Sequence, residues 1–510
     1  MQNKNDHSTL RPAGINKLLI AILFLALALR LLGISHRQMW FDEAYFYIQA
    51  EDGLGAFLES TVTPTEAGDA ADNHPPGYFT LLWAWMQVFG SSTLAARLFS
   101  VFSGLGVVAF VYLLGRRLFG DQAAQAAAFL TAISPFQIHF SQEVRMYALY
   151  AFFLGGVTYV FWRALETKKT ADWGLFALLA ALAQYTHSLA LFYLVPLALI
   201  PFIQRDWPAA KKAALAGAGA VILYLPWLLV LPSQLSRVGS NFWIFPPGLE
   251  MLVNTLLSYV INLPLEGALL LAGLAVSMFV TVLAVWLMFN TARQKGGQIA
   301  SGMWMLYLAV VPPALLFGVS QAFPVYVVRA TLPSAAMFLI WLGWLIAHPK
   351  TARSAGIILT GLMVCAAAVG IYTHVTYQGF PYAPYQDLGE YLQAHTAEGD
   401  AVVHSNKLTV MPMLYYFPDL PQAHVADVSG TGSDIFSAPS QQSLGAVSSP
   451  TVEHAAHGAQ RVWFIIFTRA IDEYIAVGAA EHPHLEWLKA HYRLIQVQPW
   501  GDLRLYLFEK

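Results

Sequence analysis

The chain consists largely of long apolar runs separated by short polar connections. An α-helix needs roughly 20 apolar residues to cross a bilayer, and about eleven runs approach that length. They lie at residues 16–34, 94–114, 122–139, 147–163, 172–187, 188–204, 211–230, 266–289, 301–319, 326–347 and 354–374. The pattern predicts a polytopic α-helical membrane protein whose transmembrane part occupies residues 1–374.

The pattern changes after residue 374. Short runs of alternating or β-branched residues at 401–404, 461–468, 493–497 and 503–508 predict strands, and residues 385–394 and 486–492 have helical spacing. No further run is long enough to cross a membrane. Residues 375–510 are therefore predicted to form a small α/β domain outside the bilayer.

Basic residues indicate the orientation of the helices, because cytoplasmic connections carry an excess of Lys and Arg. With the N-terminus inside, every inner connection is basic, through Arg116, Arg117, Arg163, Lys168, Lys169, Arg205, Lys211, Lys212, Arg293, Lys295, Lys350 and Arg353. The outer connections carry isolated arginines only, namely Arg37, Arg97, Arg145, Arg237 and Arg329. We therefore expect the N-terminus in the cytoplasm and the C-terminal domain on the extracytoplasmic side of the plasma membrane.

The first outer connection, residues 35–93, is too long to be a simple turn. Pro75 and Pro76 precede an aromatic segment, residues 77–89, which is short for a membrane span. We expect it to form a helix that lies along the outer interface. Composition agrees with a membrane-embedded chain, since 57% of the 510 residues are hydrophobic and 11% are charged. Nothing in this composition indicates a nucleic-acid partner.

Two adjacent acids, Asp42 and Glu43, follow the first apolar run at the predicted outer membrane surface. Carboxylates are costly near lipid, and they need a structural or functional reason to be there. On a helix the two side chains diverge and do not point at one atom. One acid can act as a base while the other orients it, binds a cation or caps the helix. The structural alternative is that both acids stabilise a helix N-terminus.

The second outer connection supplies further candidates in Glu143, Arg145 and Tyr147. If this segment is helical, Glu143 and Tyr147 share a face, being four residues apart, and Arg145 points elsewhere. A charged helix start is the alternative interpretation. His74 and His187 also fall on the outer side. Each is a candidate ligand or phosphate contact, although a lone histidine there is more often an interfacial polar group.

Arg329 lies about one turn inside the outer end of the run 326–347, three residues after Tyr326. An arginine inside a span is costly unless it reaches water or binds an anion. A phosphate suits it, because a guanidinium binds phosphate through two parallel hydrogen bonds. Acids and arginines together at one lipid surface suggest an enzyme that acts on a phosphorylated lipid.

These motifs resemble those of the GT-C superfamily of membrane glycosyltransferases, in particular the group with protein O-mannosyltransferases and lipid A aminoarabinose transferases. The resemblance rests on WFDEAY at 40–45, HPPGYFTLLWAWMQVFG at 74–90, SQEVRMYAL at 141–149, YTHSLALFYL at 185–194 and VYVVRATLP at 325–333. It covers roughly residues 15 to 345.

The resemblance implies a function and a role for each position. Such enzymes move a sugar from a polyprenyl-phosphate donor to a glycan, lipid or protein acceptor outside the cytoplasm, usually with inversion. Asp42 is then the expected base on the acceptor hydroxyl, with Glu43 beside it. Expected substrate-binding residues are His74, Glu143, Arg145, Tyr147, His187, Tyr326 and Arg329. Glu143 would shape the site or hold a divalent cation; the sequence shows no clean set of metal ligands, so a metal requirement is left open.

Two other functional classes share some of these sequence features. A lipid or solute transporter, or a flippase, is the main alternative, although transporters place polar groups near the bilayer midplane and often show internal repeats. This sequence shows no repeat, and its informative charges lie at the predicted outer rim. A glycosyl hydrolase also uses paired carboxylates, but an enzyme that hydrolyses a soluble glycan is not expected to have many membrane spans.

Overall fold

A computed structural model describes residues 17–62, 74–232, 234, 244–292, 298–349, 351–426, 441–442, 444–446 and 448–510. Among the basic residues used above to orient the chain, four lie outside the described residues: Arg237, Arg293, Lys295 and Lys350.

The first described helix, α1 (Lys17–Leu31), leads into a set of short helices on one end of the bundle. These are α2 (Phe41–Glu51), α3 (Leu54–Val62) and α4 (Gly77–Phe89). Helix α4 begins after Pro76 and ends at Gly90, whose φ of 83° is a conformation that glycine adopts without strain. Its bounds match the interfacial helix predicted at 77–89.

The bundle contains long helices and shorter ones between them. Their bounds are α5 (Thr93–Phe119), α6 (Asp121–Ile133), α7 (Pro135–Ser141), α8 (Tyr147–Thr167), α9 (Thr170–Thr186), α10 (Leu191–Ile203), α11 (Trp207–Leu228), α12 (Glu250–Val260), α13 (Gly267–Ala292), α14 (Gln298–Val319), α15 (Leu332–Ala347) and α16 (Arg353–Thr376). Short 3₁₀ turns, Ser188–Ala190 and Val328–Thr331, precede α10 and α15.

Six helical segments of the described chain are long and apolar enough to cross a membrane. They are Thr93–Phe119, Tyr147–Thr167, Gly267–Thr291, Gln298–Val319, Val328–Ala347 and Arg353–Thr376. The protein is therefore a multi-pass, mostly helical membrane protein. The prediction of about eleven spans and of their orientation stays a prediction, because several of those runs form helices that are shorter or less apolar.

One predicted span, residues 122–139, is two helices in the structure. Helix α6 ends at Ile133, and Ser134 has an extended ψ of 118° before α7 begins at Pro135. The break follows from Pro135, since the residue before a proline disfavours the helical conformation. The Ser134 hydroxyl then accepts a hydrogen bond from Gln137 N at 3.5 Å and caps α7.

Helix α15 is the central element of the bundle and is almost entirely buried. It packs closely on α6: a Cβ atom on Gly343 would lie 2.5 Å from the Ala127 nitrogen. Small residues at a helix contact allow this backbone approach, which is how helices in lipid gain packing energy. The N-terminal end of α15, just after Arg329, is held to α7 by Gln137, whose Nε2 donates to the Leu332 carbonyl at 3.0 Å.

The chain after α16 folds around a six-stranded sheet. Its helices and strands are α17 (Tyr385–His395), β1 (Ala401–His404), α18 (Lys407–Tyr416), β2 (Gln422–Val425), β3 (Ser448–Ser449), α19 (Val452–Ala456), β4 (Arg461–Phe467), α20 (Thr468–Ala476), α21 (Pro483–His491), β5 (Arg493–Trp500) and β6 (Leu503–Glu509). The strand order is β3-β2-β1-β4-β6-β5. The first four strands are parallel, whereas β6 pairs antiparallel with both β4 and β5.

Both faces of this sheet are covered by helices. Alternate residues of β4 point to opposite sides, so that Trp463 and Ile465 pack with α17 and α18, whereas Phe464 and Ile466 pack with α19 and α21. The predicted strands at 401–404, 461–468, 493–497 and 503–508 correspond to β1, β4, β5 and β6. The division of the chain into domains 1–374 and 375–510 stays a prediction.

Helix α18 joins the sheet to the helices of the first outer connection. The Tyr416 hydroxyl accepts a hydrogen bond from Met39 N at 2.8 Å. The Tyr415 ring lies edge-on to Tyr47 of α2, with ring centroids 4.8 Å apart, and its hydroxyl bonds with Thr93. The C-terminal region is thus in direct contact with the helix that carries Asp42 and Glu43.

Candidate active site

Asp42 lies at the centre of a cluster of charges drawn from three separate segments. Helix α2 begins after the extended residue Trp40, which places Asp42 and Glu43 in its first turn, where acids are favoured. Asp42 Oδ2 lies 3.1 Å from Arg145 Nη2 and 3.5 Å from Arg329 Nη1. The Asp42 side chain is 16% exposed. The site therefore has an accessible carboxylate held between two guanidinium groups.

Glu43 points away from this cluster, as adjacent residues on a helix must. Its side chain is fully buried, with Oε1 3.0 Å from Arg97 Nε and Oε2 2.9 Å from Arg97 Nη2. Val144 N also donates to Oε1 at 2.9 Å. A catalytic role for Glu43 stays a prediction. The geometry favours a structural role, since both of its oxygens are engaged in tying α2 to α5 and to the second outer connection.

Aromatic rings form the walls around the two arginines of the site. The Arg145 guanidinium carbon lies 4.1 Å from the centre of the Phe46 ring and 5.5 Å from that of Tyr147. The Arg329 guanidinium carbon lies 5.2 Å from the centre of the Tyr147 ring. Cations are attracted to ring faces, and these contacts fix both guanidinium groups beside Asp42. Arg329 is the more accessible of the two, at 21% against 3% exposed.

The expected helical arrangement of the second outer connection is wrong. Helix α7 ends at Ser141 and α8 begins only at Tyr147, so that Glu143 and Arg145 lie in an irregular connection. Arg145 consequently pairs with Asp42. Glu143 does not share a helix face with Tyr147. Arg329 lies nearer the start of its helix than expected: it is the second residue of the helical segment Val328–Ala347, in the 3₁₀ turn before α15.

Glu143 is buried beside the Asp42 cluster and has its own partners. Its Oε1 atom accepts a hydrogen bond from the Tyr382 hydroxyl at 2.8 Å and lies 3.2 Å from His139 Nε2. Burial opposes ionisation, but the interaction with His139, the charge of Arg37 and the hydrogen bond from Tyr382 lower the pKa of Glu143 to about 2. Glu143 is thus a carboxylate at neutral pH.

The two candidate histidines border the same aromatic cluster. The His74 ring lies edge-on to Phe46, with centroids 5.0 Å apart. His187 packs against Tyr147 and Tyr150, at 5.5 and 5.3 Å, and its Nδ1 accepts a hydrogen bond from Leu189 N. Both histidines are therefore neighbours of the rings that hold Arg145 and Arg329. Their contact with substrate stays a prediction.

Tyr326 is less well placed for a contact with substrate. Its side chain is 1% exposed, and its hydroxyl is 2.6 Å from Thr255 Oγ1. It packs with Leu316 and Ala330 in a small apolar cluster. The geometry favours a structural role, in which Tyr326 fixes the turn that carries Arg329. Substrate binding by Tyr326 stays a prediction.

A resident metal ion has no ready-made site here. In the part of the chain that the structure describes, no three His, Cys, Asp or Glu side chains are grouped so as to hold a metal ion. Asp42 is engaged by two arginines, and Glu143 by a tyrosine and a histidine.

Comparison with known proteins points to one superfamily. Residues 73–230 match the family model described as dolichyl-phosphate-mannose-protein mannosyltransferase. The chain is 24% identical over 223 residues to the undecaprenyl phosphate-alpha-4-amino-4-deoxy-L-arabinose arabinosyl transferase of Pseudomonas aeruginosa (strain LESB58). That match covers 42% of this chain and 40% of the relative. The chain is therefore similar over part of its length to membrane glycosyltransferases, and it spans less than half of the length of this curated relative.

Solved structures of two glycosyltransferases share the fold. ArnT from Cupriavidus metallidurans aligns with a TM-score of 0.62 at 12% identity, over 96% of this chain and 98% of that one. Its structure bound to undecaprenyl phosphate aligns equally well. The oligosaccharyltransferase of Archaeoglobus fulgidus aligns with a TM-score of 0.52 at 14% identity, over 95% of this chain and 73% of that one. The family model and the curated relative confirm the resemblance inferred from the sequence motifs, and these solved structures share the fold.

Some residues of this site were not found from the sequence. Arg97 had been noted only as an isolated arginine of an outer connection, yet it is the buried partner of Glu43. An arginine within the apolar run of α5 was itself a signal, because a buried charge needs an opposite charge nearby. His139 and Tyr382 gave no comparable signal. Their contacts with Glu143 depend on how α7 and the segment after α16 pack.

Proposed function

We propose that this protein transfers a sugar from a polyprenyl-phosphate donor to an acceptor hydroxyl at the extracytoplasmic face of the plasma membrane. The single observation that carries the proposal is the placement of Asp42 between Arg145 and Arg329. A carboxylate that can accept a proton and two cations that can bind a phosphate are the groups such a transfer needs.

The transfer can be written with these residues alone. The acceptor oxygen attacks the anomeric carbon from the face opposite the phosphate, which inverts that carbon, and its proton passes to Asp42. The bond between the anomeric carbon and the phosphate oxygen breaks, and its electron pair stays on the polyprenyl phosphate. Arg145 and Arg329 stabilise that anion, which needs no acid to protonate it.

The two ion pairs of Asp42 are compatible with its role as the base. Both use Oδ2, so among the described residues Oδ1 is the oxygen that can accept the hydroxyl proton. The contact with Arg329 is the longer one, and Arg329 is the more exposed arginine. A donor phosphate would therefore draw Arg329 away from Asp42 first, which leaves the carboxylate free to accept the proton of the acceptor hydroxyl.

An apolar cavity close to Arg329 suits the lipid part of the donor. It has a volume of about 670 Å³ and lies between α12, α13, α14 and α15. Thr255 and Tyr259 line it. Their hydroxyls contact the Tyr326 hydroxyl at 2.6 Å and the Thr331 carbonyl at 3.5 Å, so the cavity adjoins the turn that carries Arg329. Apolar walls next to a phosphate-binding arginine fit an isoprenoid chain joined to a phosphate.

The proposed function can be tested by mass spectrometry of surface glycans, lipids and proteins. Cells lacking the gene should lose one sugar from one class of acceptor, and the restored gene should return it. The same comparison names the sugar and the acceptor. Unchanged glycans together with a lost transport activity would contradict the proposal and would favour a transporter or flippase.

A further inference from the structure

Tyr382 reaches the site from the segment between α16 and α17. Its ring is nearly buried, and the Arg37 guanidinium carbon lies 3.9 Å from the ring centre. Trp40 meets the same ring edge-on, with centroids 6.1 Å apart. The ring is thus fixed against the residues that lead into α2, and the hydroxyl donates to Glu143 Oε1 at 2.8 Å.

A second donor approaches the same oxygen of Glu143. Asn262 Nδ2 lies 3.2 Å from His139 Nδ1, and an amide nitrogen can only donate, so His139 Nδ1 accepts. His139 Nε2 then carries the proton and donates to Glu143 Oε1 at 3.2 Å. Burial raises the pKa of Tyr382 well above its ordinary value, so its hydroxyl also keeps a proton to donate.

Both donors bond to Oε1, so the two oxygens of the Glu143 carboxylate have different surroundings. Oε2 is buried and has no hydrogen-bond partner among the described residues. An unpartnered carboxylate oxygen in a buried position is costly, and such groups occur where a ligand completes the site. The Asp42 cluster is close by, because Val144, the next residue, donates to Glu43, and Arg145 pairs with Asp42.

We propose that Tyr382 is a positioning residue of the transferase site, which holds the Glu143 carboxylate so that Oε2 can accept a hydrogen bond from the substrate. This inference rests on the proposed function. It gives the segment after α16 a task in the reaction: the region that follows the membrane helices completes the site through one hydroxyl group.

The substitution Tyr382→Phe separates this role from a purely structural one. It keeps the ring that packs on Arg37 and Trp40 and removes only the hydroxyl. A hydrogen bond to a charged group contributes about 1.5–3 kcal/mol, so kcat should fall roughly tenfold to hundredfold. The donor KM should stay near the wild-type value, because Arg145 and Arg329 are untouched.

A matched control lies five residues earlier in the same segment. The Tyr377 hydroxyl donates only within the segment, to the Phe380 carbonyl at 3.0 Å, and Tyr377→Phe should leave kcat unchanged. A double-mutant cycle with Glu143→Gln then shows whether Tyr382 acts through Glu143. In that background Tyr382→Phe should cost no more than about twofold, because the carboxylate it positions is gone.

The cycle is measured with the full chain in lipid nanodiscs, a labelled polyprenyl-phosphate sugar and an acceptor extract. Wild-type kcat in Tyr382→Phe, or equal losses from this substitution with and without Glu143→Gln, would overturn the inference. A raised donor KM with unchanged kcat would also overturn it. No transfer by the wild-type protein from any donor would instead overturn the proposed function on which the inference rests.

Discussion

The buried pair Glu43–Arg97 gives the sharpest test of which adjacent acid is structural. Both side chains are essentially inaccessible, at 0% and 1% exposed. Two charge-assisted bonds join them, at 2.9 and 3.0 Å. Replacing Glu43 by Gln leaves the Arg97 charge without a counter-charge in a dry environment. Breaking a buried pair on one side costs about 3–5 kcal/mol, so Glu43→Gln should clearly destabilise the protein.

The loss can be assigned to the pair by a second substitution. Arg97 Nη1 also donates to the Ile34 and Arg37 carbonyls, each at 2.6 Å, so Arg97→Met carries its own cost. The double variant should nevertheless be more stable than the sum of the single losses, by about 3 kcal/mol, because no unpaired charge remains. Thermal denaturation of the detergent-solubilised protein, followed by the loss of monodisperse protein, provides the comparison.

Activity measured on the same variants decides the role of Glu43. If Glu43 is structural, activity follows stability, and the double variant transfers sugar at least as well as Glu43→Gln. A double variant that is well folded but has lost kcat, beside an active Arg97→Met protein, would refute this reasoning. Glu43 would then belong with Asp42 in the chemistry.

Two further predictions concern other parts of the molecule. Arg329→Ala should raise the donor KM at least about tenfold, because a charged contact with phosphate is lost. The half-buried Arg117, which is paired with Glu166 away from the site, provides the control variant Arg117→Ala. An unchanged donor KM in Arg329→Ala would count against the phosphate contact. His404 is buried in the sheet, and burial lowers its pKa from 6.5 to about 3. Between these two pKa values, His404 binds a proton in the unfolded chain but not in the folded one. The stability of the sheet should therefore fall as the pH drops from 6.5 towards 3. Hydrogen exchange of the β1 amides, corrected for intrinsic rates, measures this stability at each pH. The stability should fall with falling pH in the wild type and fall less steeply in His404→Gln. Equal pH dependence in the two proteins would contradict the assignment of the effect to His404.

Elements with a strong local pattern could be predicted from the sequence. Helix α4 was predicted at its observed bounds because Pro76 precedes it and the aromatic run ends at Gly90. The strands around 461–468 and 503–508 were predicted because alternating or continuous β-branched and aromatic residues favour a sheet. The break at Ser134 was missed, although Pro135 was its signal, because the surrounding run is apolar throughout.

The contacts of the site could be predicted only in part. The acids and arginines of the outer connections were identified as candidates, since charged residues beside apolar runs are conspicuous. Their pairing was not: Asp42 meets Arg145 and Arg329 across large sequence distances, and nothing local fixes which charges meet. The contact of Tyr382 with Glu143 is of the same kind. Such pairs follow from helix packing, which spacing along the chain does not encode.

Sugar transfer by Asp42→Asn tests the central claim most directly. The variant keeps the size of the side chain and an oxygen for Arg145 and Arg329, but it removes the base. With the protein in nanodiscs, we expect transfer from the polyprenyl-phosphate donor to fall at least about a hundredfold, while donor binding persists. Asp121→Asn, at an exposed ion pair with Arg116, should stay fully active. Wild-type turnover by a correctly folded Asp42→Asn protein would contradict the account.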